Sequence, residues 1–138
     1  MSTPWSVLFV CLHGAAKSVL AAADFRRLAA ERGLALTALS AGTEPDPEIA
    51  PGVVAALRAE GVELGQTRPR QVTAADTALA DRVVTFGCEL GGATPAAVAV
   101  ERWDDVPAVS ENLPLARAAI RRHLDRLLDE CEARGARR

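Results

Sequence analysis

At 138 residues and 49% hydrophobic, with a formal net charge of −2, the chain has the apolar content for one compact domain over residues 1–138, and its near-neutral charge excludes a global attraction to nucleic acid or an anionic membrane. No stretch approaches the roughly 18 apolar residues of a membrane span, and the start Met1-Ser-Thr-Pro-Trp5 lacks the basic-then-apolar pattern of a secretion signal, which predicts a cytoplasmic protein. Three widely separated cysteines, Cys11, Cys88 and Cys131, argue against a disulfide framework and for reduced thiols.

Trp5–Cys11 is a short apolar run rich in β-formers, and a glycine-containing loop leads from it into alanine-rich helical sequence over Ser18–Arg32. Gly33 supplies a helix stop, and Leu34–Ser40 alternates as a second strand does. Loop sequence over 41–47 precedes Pro51, which stands in the first turn of a helix that carries Val53, Val54 and Leu57 and stops at Gly61. Gly65–Thr73 is polar and basic, and its Arg68-Pro-Arg70 stretch reads as a solvated loop. Ala74–Ala80 reads as a short helix, Asp81–Phe86 as a third strand and Ala96–Val100 as a fourth. Leu113–Arg134 repeats Leu115, Ala119, Ile120, Leu124, Leu127 and Leu128 at helical spacing and is an amphipathic helix. Strands alternating with helices predict an α/β single-domain three-layer sandwich, a four-stranded parallel sheet with helices on both faces. Ligands of such sheets gather at the carboxyl ends of strands, where Cys11 and Cys88 both fall.

The segment Cys11-Leu12-His13-Gly14-Ala15-Ala16-Lys17-Ser18 carries the strongest chemical signal. A helix N-terminus presents unpaired N–H donors and the positive end of its dipole, and the preceding loop aims further amides at one point, which suits a tetrahedral oxyanion. The same field, with the Ser18 hydroxyl and the Lys17 ammonium, favours the thiolate of Cys11. The nucleotide-binding loop G-x-x-x-x-G-K-[ST] also ends in Lys-Ser, but Cys11 and Ala16 occupy its glycine positions. Two separated histidines do not make a metal site, and no cofactor is predicted.

Val7-Leu-Phe-Val-Cys11-Leu-His13, Ser18, Ser40-Ala-Gly-Thr-Glu-Pro45, Gly65-Gln-Thr-Arg-Pro-Arg-Gln-Val-Thr73 and Val83-Val-Thr-Phe-Gly-Cys88 together resemble, in order, the low-molecular-weight protein tyrosine phosphatase superfamily. Within it the chain looks most like the phosphatase-fold arsenate reductases, through Val-Val-Thr-x-Gly-Cys. The resemblance implies that Cys11 attacks arsenate, that Cys88 resolves the adduct and that arsenite is released. It also implies a thiol reductant, such as thioredoxin or a low-molecular-weight thiol. A Cys11–Cys88 disulfide requires the segment 87–95 to close on the loop, since bridged Cα atoms lie within about 7 Å of one another.

The chain departs from the family at several positions. Lys17 stands where the family has arginine, replacing a planar fork by a point charge, and Gly14 stands where it has asparagine. Gly92-Ala-Thr-Pro95 lacks the third cysteine of the relay reductases. The family's acidic Asp-Pro pair is interrupted in Asp104-Asp105-Val106-Pro107, and Asp105 is the expected donor to the leaving group. His13 is expected to orient the loop, His123 to lie at the surface, Trp103 to pack in the core or at an edge, and Cys131 to be structural. Alternatives to the reductase are a phosphatase working through a phosphocysteine, and a non-catalytic oxyanion-binding module built on a degenerate phosphatase loop.

Overall fold

A computed structural model describes residues 4–135. In chain order the elements are β1 (Trp5–Cys11), α1 (Lys17–Glu31), β2 (Leu36–Gly42), α2 (Pro51–Ala59), α3 (Ala74–Leu79), β3 (Arg82–Thr85), a 3-10 turn (Gly91–Ala93), β4 (Val100–Arg102) and α4 (Leu113–Ala133). The strands pair in the order β2-β1-β3-β4, all parallel, as the alternation of elements predicts.

Central β1 is buried from Val7 to Cys11 because both its faces are covered, which is why it reads as unbroken apolar sequence. Val7, Phe9 and Cys11 face a core supplied by α1, α2 and α4, in which Phe9 meets Phe25 edge-on at 5.9 Å and Trp103 at 5.7 Å between ring centroids. Leu8 and Val10 face a smaller cluster with Val72, Ala80, Val83, Cys88 and Ala93, beneath α3 and the 3-10 turn. The Thr77 hydroxyl donates to the Ala93 carbonyl at 2.6 Å and ties α3 to that turn.

Two elements are displaced from their expected positions. β2 runs two residues further than Leu34–Ser40, to Gly42, because Cys11 pairs with Gly42 at the end of the register. β4 is Val100–Arg102 in place of Ala96–Val100. Short β3 offers pairing partners only to Val100, Glu101 and Arg102, and the alanines before them lack the β-branched side chains a strand favours. Glu101 and Arg102 are tolerated in a strand because β4 is an edge, and Glu101 pairs with Arg82 at 2.7 Å.

Candidate active site

The loop after β1 is held by its carbonyls. Those of Cys11, Leu12, His13 and Ala15 accept from the amides of Thr43, Glu44, Asp46 and Ala50 at 3.2, 2.7, 3.0 and 3.0 Å. A peptide unit points its N–H opposite to its C=O, so the amides following these carbonyls, at Leu12, His13, Gly14 and Ala16, turn away from the 43–50 segment. Among the described residues, no amide from 12 to 18 donates to a protein acceptor. Gly14, at φ +60°, makes a left-handed turn in the middle of this run of amides.

The start of α1 extends this donor set. Ala16 at its N-cap has no capping side chain, and the first turn holds no acidic residue. α3 and α4 use their own polar side chains: Thr73 and Asp76 form a reciprocal capping box on α3, and Asn112 accepts from the Leu115 amide on α4, whereas α2 starts at Pro51 without a side-chain cap. An uncapped first turn in this setting leaves its N–H groups available to an anion.

Cys11 Sγ lies 3.1 Å from Ser18 Oγ, with Ser18 fully buried and Cys11 at the floor of an open cleft of about 660 Å³. One wall is the start of α2 at Ala50–Val53 and the other is the 108–113 segment, while His13, Lys17, Asp46 and Glu111 supply the charged lining. Phe86 is the aromatic residue of the lining. Lys17 Nζ donates to the Val106 carbonyl at 2.9 Å, tying the loop to the far wall and leaving two of the three ammonium donors for other acceptors.

Of the residues singled out in the sequence, Leu12, His13, Ala15, Ala16 and Lys17 meet Cys11 at this cleft, while Gly14 and Ser18 support its floor from below. Asp105 does not come to it. Its Oδ1 lies 2.7 Å from Nε2 of His123, and that hydrogen bond holds its carboxyl below the usual range. His123 is correspondingly drawn in from the surface, 15% exposed and stacked on the buried Trp103 ring at 4.6 Å. Asp104 is also engaged elsewhere, accepting from the Gly87 amide and from Arg102 Nε, both at 3.0 Å.

Cys88 lies at the end of β3 on the opposite face of the sheet from Cys11, its Sγ 3.5 Å from the Val10 carbonyl. Burial pushes its thiol up, and the nearby Cys11 sulfur adds to the effect. Cys131 is buried in α4, where desolvation pushes its thiol up to about 11. At pH 8 such a thiol is only about one part in 1,000 thiolate. Iodoacetamide at that pH is therefore expected to label Cys11 first and Cys88 more slowly, with Cys131 modified only on unfolding. Peptide mapping of a singly labelled sample checks this, and an adduct at Cys88 or Cys131 ahead of Cys11 contradicts it.

Sequence reasoning did not select Asp46 or Glu111. Asp46 had a signal in the turn Glu44-Pro-Asp-Pro47 that follows β2, whereas nothing local marks Glu111.

Comparison with known proteins agrees with this architecture. A Halobacterium salinarum protein described as "Putative arsenate reductase" is 30% identical over 97 residues, covering 69% of this chain and 68% of that one. The crystal structure of YfkJ from Bacillus subtilis superposes with a TM-score of 0.81 at 26% identity, over 96% of this chain and 98% of the other. The Corynebacterium glutamicum thioredoxin-dependent arsenate reductase Cg_ArsC1' shares the fold, with a TM-score of 0.77 at 24% identity, over 96% of this chain and 65% of that one. Residues 6–119 match the family model for low molecular weight phosphotyrosine protein phosphatases, and the chain belongs to that family, whose fold serves arsenate reductases as well as phosphatases.

Proposed function

We propose that this protein reduces arsenate by thiol chemistry, with Cys11 as the attacking thiolate and Cys88 as the resolving thiol. The observation that supports the reading is a run of amides over 12–18 without a protein acceptor among the described residues, leading from Cys11 into the uncapped start of α1, with the Ser18 hydroxyl 3.1 Å from Cys11 Sγ. The amides of Leu12, His13, Gly14, Ala15, Ala16, Lys17 and Ser18, with the free ammonium donors of Lys17, hold the oxyanion. Cys11 then forms an S–As bond as an As–OH bond breaks and its oxygen leaves as water. Cys88 attacks Cys11 Sγ, an S–S bond forms, and the S–As pair stays on arsenic, which passes from the V to the III state and leaves as arsenite. Thioredoxin or a low-molecular-weight thiol reduces the disulfide. The thioredoxin dependence of the Corynebacterium relative supports the first of these.

Cys88 at the end of β3 supports reduction over hydrolysis, as does the aliphatic lining of a cleft whose aromatic residue is Phe86. Gly87, Gly91 and Gly92 flank the segment that must swing across the sheet edge to bring the thiols together. A second reading, hydrolysis of phosphomonoesters through a phosphocysteine, is favoured by the resting place of Cys88 on the far face and by two carboxylates, Asp46 and Glu111, in the cleft. A third, oxyanion binding without turnover, is favoured by the contact of Lys17 with the Val106 carbonyl. Arsenate reduction and aryl phosphate hydrolysis measured in parallel, with Cys11→Ser and Cys88→Ser, separate the three. Reduction lost in both variants, with a Cys11–Cys88 peptide seen by mass spectrometry after turnover, is expected. Phosphate release that survives Cys88→Ser indicates the phosphatase, and binding without turnover of either substrate indicates the third reading.

A further inference from the structure

We infer that His13, oriented by Asp46, is the proton donor to the leaving oxygen at this site, in place of the aspartates of the 104–107 loop; the inference rests on the reading of Cys11 as the nucleophile. His13 sits two residues beyond Cys11 and lines the same cleft, with its side chain 54% exposed. Its Nδ1 faces the Glu44 carbonyl at 3.2 Å and Asp46 Oδ1 at 3.4 Å. A carbonyl and a carboxylate only accept, so Nδ1 keeps its hydrogen in both charge states of the ring. The exchangeable proton therefore resides on Nε2, which has no protein partner among the described residues.

The support behind the ring is part of the anion loop itself. The Asp46 amide donates to the His13 carbonyl at 3.0 Å and the Glu44 amide to the Leu12 carbonyl at 2.7 Å, so the groups that hold the imidazole are fixed to the backbone that holds the anion. Asp105 and Asp104 are meanwhile committed to His123, Gly87 and Arg102, outside the cleft. Glu111 is the remaining competitor among the cleft acids, on the opposite wall.

The step balances without further reactants. The Cys11 thiolate forms a bond to arsenic or phosphorus, the bond from that atom to the leaving oxygen breaks, and the Nε2 proton passes to that oxygen. Water or an alcohol leaves, and the imidazole is left neutral. His13 is thus a catalytic residue and Asp46 a positioning residue.

The test compares wild type, His13→Asn, Asp46→Asn, Glu111→Gln and Cys11→Ser on arsenate, phenyl phosphate and 2,4-dinitrophenyl phosphate. Phenoxide needs a proton to leave and dinitrophenoxide does not. General acid catalysis contributes about 10²–10⁴-fold. His13→Asn is expected to lose about 100-fold or more in kcat on arsenate and phenyl phosphate and to lose less than about fivefold on the dinitrophenyl ester. Asp46→Asn is expected to lower kcat more than KM in the same leaving-group-selective way, with partial rescue in Asp46→Glu. An equal loss of His13→Asn on both esters, wild-type kinetics in that variant, or the selective loss appearing in Glu111→Gln overturns the inference while Cys11→Ser, inactive throughout, upholds the nucleophile. Full activity in Cys11→Ser, or no turnover of any substrate by wild type, overturns the underlying reading and this one with it.

Discussion

Gly42→Ala is expected to abolish oxyanion binding and turnover while leaving the sheet assembled. A Cβ on Gly42 would lie 2.6 Å from the Gly14 nitrogen, 2.8 Å from the His13 carbonyl carbon and 2.9 Å from the Gly14 Cα, all of them backbone atoms. Gly42 has no room to retreat, because its amide donates to the Arg70 carbonyl and its own carbonyl accepts from the Val72 amide, both at 2.9 Å. The clash is therefore relieved by displacing the 13–14 peptide, whose amides are the donors at issue. Overpacking of this kind costs about 1–3 kcal/mol, whereas a displacement of about 1 Å in a reacting geometry lowers rates by about 10²-fold. Phosphate or arsenate titration by calorimetry, alongside thermal melting, checks both parts. Wild-type affinity in a folded Gly42→Ala protein contradicts this account of the loop.

The same contact explains the glycine at position 14. A Cβ at Gly14 would meet the Gly42 nitrogen at 2.8 Å, so this β2 end accepts only hydrogen there whatever the tolerance of asparagine for positive φ. Gly14 brings no side-chain bonds of its own, and the loop is held instead by the carbonyl bonds of Cys11, Leu12, His13 and Ala15 to the 43–50 segment. The loop is thus shaped from outside by backbone, which leaves its inner face free for a ligand.

β1, the loop that follows it and α1 were legible in the sequence because each leaves a local mark: an unbroken apolar run, a cysteine-to-serine spacing, and alanine-rich helical sequence. β4 was misplaced because its position is decided by the reach of β3, a neighbour far away in sequence, and its Glu101-Arg102 pair does not read as a strand. Asp105 was selected from its proximity to a proline, but the direction of its side chain depends on His123, 18 residues further on in α4. Long-range pairing also hid the Asp46–His13 contact, where 33 residues of sequence separate groups 3.4 Å apart. Chemistry carried by one segment was readable; chemistry made by two segments meeting was not.

Arg117→Met is expected to be the most destabilising single change away from the cleft. Asp24 of α1 is 1% exposed, and Arg117 of α4 reaches it with Nε at 3.0 Å and Nη2 at 2.7 Å, while also binding Glu60 just beyond α2. Arg27 bridges Asp24 at 3.0 Å and Glu60 at 2.9 Å, so one network joins three helices on the same face of the sheet. Removing Arg117 strands a buried carboxylate with weaker partners, Arg27 and, at 3.5 Å, Arg121. Breaking a buried pair by deleting one member costs about 3–5 kcal/mol, or roughly 10–15 °C in Tm for a domain of this size. Replacing both members, Asp24→Leu with Arg117→Met, is expected to recover much of that loss, since neither charge then has to be desolvated. The pH dependence follows from Glu60, whose carboxyl is held below its usual range first by the Arg117 hydrogen bond and further by Arg27. A depressed folded pKa contributes stability above the unfolded value of about 4.3, and that contribution is lost as pH falls through the folded value. The gap in Tm between wild type and Arg117→Met should accordingly be widest near neutrality and narrow below about pH 4. A gap that stays constant across that range would mean that the guanidinium contributes through packing rather than charge.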